Sequence, residues 1–316
     1  MNQQLPILKT LSFFQIYSHP LTLLELTERL VTPNIVALSD LKVSLDLLLQ
    51  KGAVIEDRGF FFLSGSAEAV EQRTARILWE NNKMSIARRA ARILRLVPFV
   101  RLVAVCNTLS FGVTKQESDI DFFIVAQARR LWLVRALSVL LLFLCGLYRR
   151  GNNIQNQICL SFFIDEKNLD LQKLSLPEND NGPDIYLIYW ITQLVPLINR
   201  GQTLEKFWRD NLWINKYLAN WDWSGREEDY RSVEENKFFS WKRKSWEFIL
   251  RFKLGDIVER LCKYLQLLKM KRNVYSRRWQ EGTEVVVNDE ILKFHEADRR
   301  ELYRKMWKKN LEKINV

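Results

Sequence analysis

Residues 100–126 read VRLVAVCNTLSFGVTKQESDIDFFIVA, and two aspartates, Asp119 and Asp121, stand one residue apart within this stretch. Its two ends, VRLVAV and DIDFFIVA, are nearly continuous apolar runs, which is typical of strands buried on both faces. Side chains alternate along a strand, so both carboxylates point to one face with Cα atoms about 7 Å apart. Adjacent carboxylates repel each other and lose hydration on burial unless cations neutralise them. The stretch therefore predicts a cation site at the beginning of a buried strand.

The surroundings of this pair resemble the signature of the DNA polymerase β superfamily of nucleotidyltransferases. In that signature a Gly-Ser step is followed by a loop, by Asp-x-Asp and by apolar residues. Here Asn107 and Thr108 take the Gly-Ser place, ten residues follow, and residues 119–121 supply the Asp-x-Asp. Gly112 matches a glycine often found in the intervening loop, and Ser118 matches the small polar residue before the aspartates.

The resemblance implies an α+β fold with a mixed sheet, and Mg²⁺-dependent transfer of a nucleoside monophosphate from a nucleoside triphosphate to an acceptor hydroxyl. Asp119 and Asp121 would hold the metal, with two ions expected, because carboxylate oxygens and phosphates suit Mg²⁺. Four residues would lie near the triphosphate, namely Asn107, Thr108, Gly112 and Ser118. The acceptor is not indicated, since one fold serves many acceptors.

A third metal ligand is expected on a neighbouring strand, for which QICLSFFIDE at residues 157–166 is the candidate. Cys159, Ser161 and Phe163 occupy its middle, which leaves Asp165 near its end as the candidate carboxylate. Without that ligand the metal binds less tightly. The alternative function is then a catalytically degenerate nucleotidyltransferase-like protein that binds nucleic acid or regulates.

Between these two strands lies LWLVRALSVLLLFLCGLY, residues 131–148, whose apolar length suggests a membrane span. Arg135 interrupts the run, and arginine pairs flank it equally, so no positive-inside asymmetry exists. A span would also separate two strands that the resemblance places in one sheet. We therefore predict a buried crossover helix and no integral membrane insertion. Membrane association through residues 131–148 is the second alternative.

Residues 1–65 contain three apolar periodicities typical of helices, followed by two apolar runs around the turn signal Asp57-Arg58-Gly59. Three helices and a hairpin resemble a winged helix, a fold that often binds DNA. The presumed third helix is not basic, which argues against DNA binding by this domain. We expect a winged-helix-like domain over 1–65, a nucleotidyltransferase domain over 66–175 and a helical, basic C-terminal region over 176–316.

Charge and cysteine content limit partners and location. Residues 240–316 hold 20 Lys and Arg against 11 Asp and Glu, a net charge of +9, so this region is the expected contact if the chain binds nucleic acid. A solvated, basic helical surface is the alternative.

The four cysteines lie far apart without a Cys-x-x-Cys pair, which argues against a zinc site and a disulfide framework. The N-terminus lacks secretion signals, so we expect a cytoplasmic protein. The oligomeric state is not indicated.

Overall fold

The computed structural model describes residues 3–65, 68–151, 153–223, 232–234, 236–271, 282–295 and 298–314. The helices in these ranges are α1 (Gln4–Gln15), α2 (Leu23–Glu28), α3 (Leu38–Gln50), α4 (Ala69–Leu94), α5 (Asn107–Ser110), α6 (Leu131–Leu144), α7 (Ile185–Thr192), α8 (Thr203–Asp210), α9 (Lys237–Ile249), α10 (Lys253–Lys271) and α11 (Arg300–Glu312). The strands are β1 (Leu21–Thr22), β2 (Val54–Asp57), β3 (Phe60–Leu63), β4 (Val100–Val105), β5 (Ile120–Ala126), β6 (Ile158–Asp165), β7 (Val195–Asn199), β8 (Val285–Val287) and β9 (Ile291–Phe294).

A mixed sheet of six strands forms the centre, in the order β7-β4-β5-β6-β9-β8. β5 and β6 are parallel, and the other neighbouring strands are antiparallel. The strands β4 and β5 are buried on both faces, as their continuous apolar runs predict. The predicted α+β class and mixed sheet are confirmed.

The helix α6 connects β5 to the parallel strand β6, a connection that requires a crossover. It packs against α4, α10 and β6. Arg135, the charge within its apolar run, donates to Gln266 on α10 and stacks over Phe294. The predicted crossover helix is present over Leu131–Leu144, but it is buried only in part, because its C-terminal end exposes Leu140, Phe143 and Leu144. Among the residues that the structure describes, no helix is long and apolar enough to cross a membrane.

The N-terminal region contains α1, α2 and α3 together with a small antiparallel sheet in the order β1-β3-β2. The predicted hairpin is present, and β2, which ends at Asp57, is joined to β3 by Arg58 and Gly59. A capping box fixes the beginning of α2, because Thr22 and Glu25 satisfy each other's backbone N–H groups. The strand β1 is an addition that the sequence pattern did not predict, since it is only two residues long.

The prediction of a helical C-terminal region is wrong in part, because β7, β8 and β9 belong to the central sheet. The apolar run of residues 184–201 predicts one helix ended by Gly201, but α7 ends at Thr192 and β7 begins at Val195. A continuous apolar run does not distinguish a buried helix from a buried strand, and Pro196 disfavours the helix. The helices α9 and α10 lie where helices were predicted.

The two faces of the sheet belong to different parts of the core. On one face Phe123 and Val125 pack with the N-terminal region, α7 and α8. On the other face Phe122 and Ile124 pack with α4 and α6. Asp121 has the strand parity of Phe123, so its side chain lies on the face covered by α7 and the N-terminal region.

Candidate active site

The first residues of β5 and β6 open into a cavity of about 710 Å³. Asp119, which precedes β5, and Asp121, on β5, both line it. Cys159 lies beside them, because it is the register partner of Asp121 in the parallel pair of strands. Aromatic side chains, including Tyr186 and Trp190 of α7, form another part of the wall.

Asp119, Asp121 and Cys159 form the cluster whose chemistry suits a metal ion. Their potential ligand atoms all lie within 4.8 Å of one another. The predicted carboxylate pair is therefore brought together on one face of the sheet, at the edge of a cavity. No sequence pattern indicates Cys159 as a member of this cluster, since its place follows from the register between β5 and β6.

The two carboxylates have unequal electrostatic environments. Asp119 pairs with Arg149, whose side chain is 42% exposed. Burial has the largest effect on Asp121 and, together with the charge of Asp119, raises its pKa to about 6. Hydrogen bonds from the side chains of Asn107 and Cys159 act in the opposite direction. Burial also raises the pKa of the Cys159 thiol, so this group is neutral at pH 7. Asp121 thus lacks full compensation of its charge, as expected of a cation ligand without its cation.

Asn107 holds Asp121 in place and is itself held by α7. Its Oδ1 accepts hydrogen bonds from Tyr186 Oη at 3.2 Å and from Trp190 Nε1 at 2.9 Å. With Oδ1 engaged in this way, the amide nitrogen is the group that can donate to the Asp121 carboxylate. The backbone of Asn107 has φ +57°, a left-handed conformation that asparagine tolerates better than most residues. Asparagine can therefore occupy a backbone position at which the resembled signature has glycine.

Of the other residues predicted near a triphosphate, Thr108 and Ser118 line the cavity and Gly112 does not. Gly112 has φ +70°, and a Cβ there would lie 3.2 Å from His19 Cε1. Its role in the structure is a close approach of the loop to the N-terminal region. The hydroxyl of Ser118 accepts from Lys115 N at 3.2 Å, so it also shapes the loop before the aspartates.

Asp165, the candidate third ligand, lies at the opposite end of the strand from the site. It pairs with Ala126, five positions beyond Asp121 along β5, which places it about 16 Å away. Its carboxylate accepts from Lys167 N at 2.8 Å and from Asn168 Nδ2 at 3.0 Å. The structure therefore does not bring Asp165 to the cluster, and the register of the parallel strands is the reason.

Another carboxylate, Asp298, does line the cavity but belongs to a separate charged group. It pairs with Lys293 at 3.2 Å and with Arg300 at 2.9 Å, and Arg300 also pairs with the buried Asp184. These contacts hold the end of β9 and the beginning of α11 against α7. Asp298 is thus a structural carboxylate that neutralises two cations of the cavity wall.

His295 and Ser161 form a polar pair in the cavity that the sequence alone did not connect. Ser161 Oγ lies 3.0 Å from His295 Nε2, and the two residues come from β6 and from the end of β9. Burial has the largest effect on His295 and, together with the charge of Lys293, lowers its pKa to about 4. The imidazole is therefore neutral at pH 7 and is a weak base there. In the sequence this lone histidine indicates no role, because the pairing of β6 with β9 is not visible there.

Lys83 of α4 is a second residue that sequence reasoning missed. Its side chain is 1% exposed, and Nζ donates to Gln116 O, Ser118 O and Asn156 Oδ1 at 3.1, 2.6 and 2.9 Å. It therefore fixes the loop that ends at Asp119. A lysine on a basic helix is typical of a solvated surface, so the pattern gave no signal of this contact.

Comparison of the chain with models of protein families, with curated proteins and with solved structures finds no match.

Proposed function

We propose that this protein is a divalent-metal-dependent nucleotidyltransferase that transfers a nucleoside monophosphate from a nucleoside triphosphate to an acceptor hydroxyl and releases pyrophosphate. The observation that carries the proposal is the convergence of Asp119 and Asp121 with Cys159 within 4.8 Å, at the edge of a cavity of about 710 Å³. A cavity of this size accommodates a nucleotide. The sequence signature and the position of the pair at the edge of a cavity support the same chemistry.

The donor set fits a divalent ion that is held jointly by protein and substrate. Two carboxylates supply hard oxygen ligands, and Mg²⁺ usually takes its remaining ligands from phosphates and water. The under-compensated charge of Asp121 supports this fit. The neutral thiol of Cys159 donates to Asp121 and need not be a ligand. When bound, the metal would neutralise phosphate charge and lower the pKa of an attacking hydroxyl.

The remaining residues have roles in orientation and proton transfer. Asn107 orients the carboxylate of Asp121 through the contacts with α7. Arg149, which pairs with Asp119, lines the cavity and is placed to contact phosphate oxygens. His295 lines the cavity as a neutral imidazole, and we assign it the proton of the acceptor hydroxyl. Since a pKa of about 4 makes it a weak base, the charge of the bound phosphates is expected to raise that pKa when the nucleotide binds.

The experiment is incubation of the purified protein with Mg²⁺ or Mn²⁺, each nucleoside triphosphate labelled at the α-phosphate, and a cell extract. We expect label to be transferred to an acceptor by the wild type and by Asp165→Asn. Asp121→Asn should transfer none. Asp165 serves as a matched control, because it lies on the same strand pair but away from the cavity. Equal activity of Asp121→Asn and the wild type would contradict the proposal.

The proposed proton acceptor has its own test. His295→Gln retains a hydrogen-bonding side chain but removes the basic nitrogen, so kcat should fall by roughly 10²-fold to 10⁴-fold. The KM for the nucleoside triphosphate should change little, because His295 does not hold the phosphates. A rise in that KM with unchanged kcat would assign His295 to substrate binding instead.

The position of Asp165 favours a second candidate, a nucleotide-binding regulator without transfer activity. If the protein is such a regulator, the metal and nucleoside triphosphate should stabilise it against unfolding. No label should then be transferred with any of the nucleotides or extracts. The two candidates are therefore separated by the transfer assay and not by binding.

A further inference from the structure

The helices α9 and α10 expose many large apolar side chains to solvent. On α10, Leu254, Ile257, Leu261, Tyr264 and Leu268 recur at spacings of three and four residues, and each is between 42% and 61% exposed. Such spacing places them on one side of the helix. The exposed large apolar residues on α9 and the following turn are Phe238, Trp241, Trp246, Phe248, Ile249 and Phe252.

The opposite sides of these helices pack against the body of the protein. Val258, Cys262 and Leu267 of α10 belong to the core around α6. Glu247 of α9 accepts from the backbone N–H of Phe99 at 2.7 Å. The exposed apolar side is therefore a second, separate face, because the core-facing side of each helix is already occupied.

The acidic residues of this segment all face the body. Across residues 237–271, which the structure describes without a gap, the acids are Glu247, Asp256 and Glu259. Glu247 pairs with Arg101 and Arg243, and Asp256 pairs with Arg129 and Arg130. Glu259 accepts from the first N–H groups of α6. The outer surface of the segment consequently carries no acidic side chain.

Exposed basic residues accompany the apolar side chains on this outer surface. They are Lys237, Lys242, Lys244, Arg251, Lys253, Arg260, Lys269 and Lys271. Helices that combine Trp, Phe and Leu on one side with Lys and Arg around it are typical of the interface of anionic membranes. The neighbouring helix α6 adds Leu140, Phe143 and Leu144, which are exposed at its end.

We propose that α9 and α10 dock the protein onto the surface of an anionic phospholipid membrane. The apolar side chains would enter the boundary between headgroups and acyl chains, and the lysines and arginines would lie among the anionic headgroups. The helices lie on the membrane and do not span it. The surface is formed mainly by α9 and α10, with the exposed end of α6 beside them, and it does not depend on the proposed transfer activity.

Charge decides between a membrane and the other occupants of such a face. A second copy of the chain would bring two basic, acid-free surfaces together, and like charges at an interface oppose association. A nucleic acid would match the charge but not the row of aliphatic Leu and Ile side chains, since its phosphates are polar and its bases prefer aromatic partners. An anionic membrane matches both the charge and the aliphatic residues.

The test is sedimentation of the full chain with vesicles of phosphatidylcholine, and of phosphatidylcholine mixed with phosphatidylserine. We expect sedimentation with the mixed vesicles, weak sedimentation with the neutral ones, and a decrease as the salt concentration rises. The triple variant Lys242→Glu, Lys244→Glu, Arg260→Glu should bind the mixed vesicles more than about a hundredfold more weakly, given the contribution of each cation near an anionic surface.

A pair of apolar variants completes the test. One double variant carries Phe248→Ser and Leu261→Ser, and it should bind vesicles more weakly. The matched control carries Leu24→Ser and Ile35→Ser, and its vesicle binding should be unchanged. All four side chains are at least 54% exposed, so neither variant should lower the unfolding temperature appreciably. No binding to mixed vesicles overturns the proposal. So does equal binding to both vesicle types, or a dimer in solution that the first pair of substitutions dissociates.

Discussion

Asp119 and Asp121 are chemically equivalent in sequence but not in the folded protein. Asp119 has an exposed cationic partner, whereas the partners of Asp121 are the neutral side chains of Asn107 and Cys159. Neutral donors do not cancel a full charge in a site with restricted access to water. The ionised form of Asp121 therefore costs free energy unless a cation is bound, and this difference can be measured.

The first prediction concerns the stability of the metal-free protein. Asp121 has a folded-state pKa of about 6 against an unfolded value of 3.8, so stability falls as pH rises between these values. Asp121→Asn should therefore raise the free energy of unfolding at pH 7, by about 3 kcal/mol at most. Asp119→Asn removes a partly exposed ion pair, worth about 0 to 1 kcal/mol, and also relieves the repulsion of Asp121, so its net effect should be small. Urea unfolding with a chelator present measures both.

Both variants should also be stabilised less by ligand than the wild type is. Mg²⁺ with a nucleoside triphosphate should stabilise the wild type by about 2.7 kcal/mol at a hundredfold excess over the dissociation constant. Both variants should lose most of this increment. Destabilisation of the ligand-free protein by both substitutions, with no ligand effect on the wild type, would show that the carboxylates have a structural role.

The second prediction tests Asn107 as the residue that orients Asp121. Asn107→Gly keeps the left-handed backbone accessible but leaves Trp190 Nε1 without its acceptor, which should cost about 1 to 3 kcal/mol of stability. Tyr186→Phe removes the other donor to Asn107. In a double-mutant cycle the two changes should be non-additive by at least about 0.5 kcal/mol, because they share one acceptor. Strict additivity would contradict the contact.

At the scale of elements, the site depends on how α4 meets the loop between α5 and β5. Lys83 reaches from α4 to two carbonyl groups of that loop, Gln116 O and Ser118 O, and to Asn156 before β6. One ammonium group thereby joins the chain segments that lead into both strands of the site. Asp119 follows directly on this loop, so its position depends on the lysine.

The third prediction is that Lys83→Met disturbs the site without disrupting the helix. Methionine preserves the apolar stem of the lysine, but the carbonyl groups lose a charged donor, so stability should fall by about 2 to 3 kcal/mol. Amide hydrogens of residues 115–119 should exchange faster, and the affinity for the metal with nucleotide should fall. As a control, Lys42→Met on the exposed side of α3 should change none of these. Unchanged exchange in the loop would contradict the role.

The sequence predicted elements with local signals more successfully than elements that depend on pairing. The apolar runs of β4 and β5, the crossover α6 and the turn at Gly59 have local signatures, and each is present. The strand β7 and the hairpin of β8 and β9 were missed, since such short strands form only by pairing with the central sheet. Asp119 and Asp121 were predictable from their spacing. The arrival of Cys159 and His295 at the same cavity was not, because it depends on strand register.

At the scale of the whole molecule, the N-terminal region is integrated with the rest of the chain. Its core continues into that of α7 and α8. On another side, α11 contacts α1, where Trp307 donates to Lys9 O and Asn310 donates to Ser12 O. The expected boundary near residue 65 therefore does not coincide with a gap in the core. Composition and turn signals mark where a segment ends, but they do not reveal what it packs against.

One charged contact joins the N-terminal region to α4, and it supplies the last prediction. Glu25 of α2 accepts two hydrogen bonds from Arg73 of α4, at 2.7 and 2.9 Å, and one from the backbone of Thr22 at 2.9 Å. Burial alone would raise the pKa of Glu25, but Arg73 and the charge of Arg29 outweigh it and lower this pKa to about 2. Since the folded value lies below the unfolded value of 4.5, the contact stabilises the fold above pH 4.5. This stabilisation is lost as pH falls towards 2.

Glu25→Gln should therefore lower the free energy of unfolding at pH 7 by about 3 kcal/mol at most, and by progressively less below pH 4.5. Urea unfolding of the variant and the wild type at pH 7, 5, 4 and 3 measures the difference. Glu71→Gln is the control, because its exposed pair with Arg58 should contribute only about 0 to 1 kcal/mol. If the deficit of Glu25→Gln were the same at pH 3 as at pH 7, its origin would be packing or neutral hydrogen bonding. The carboxylate charge would then not be what joins α2 to α4.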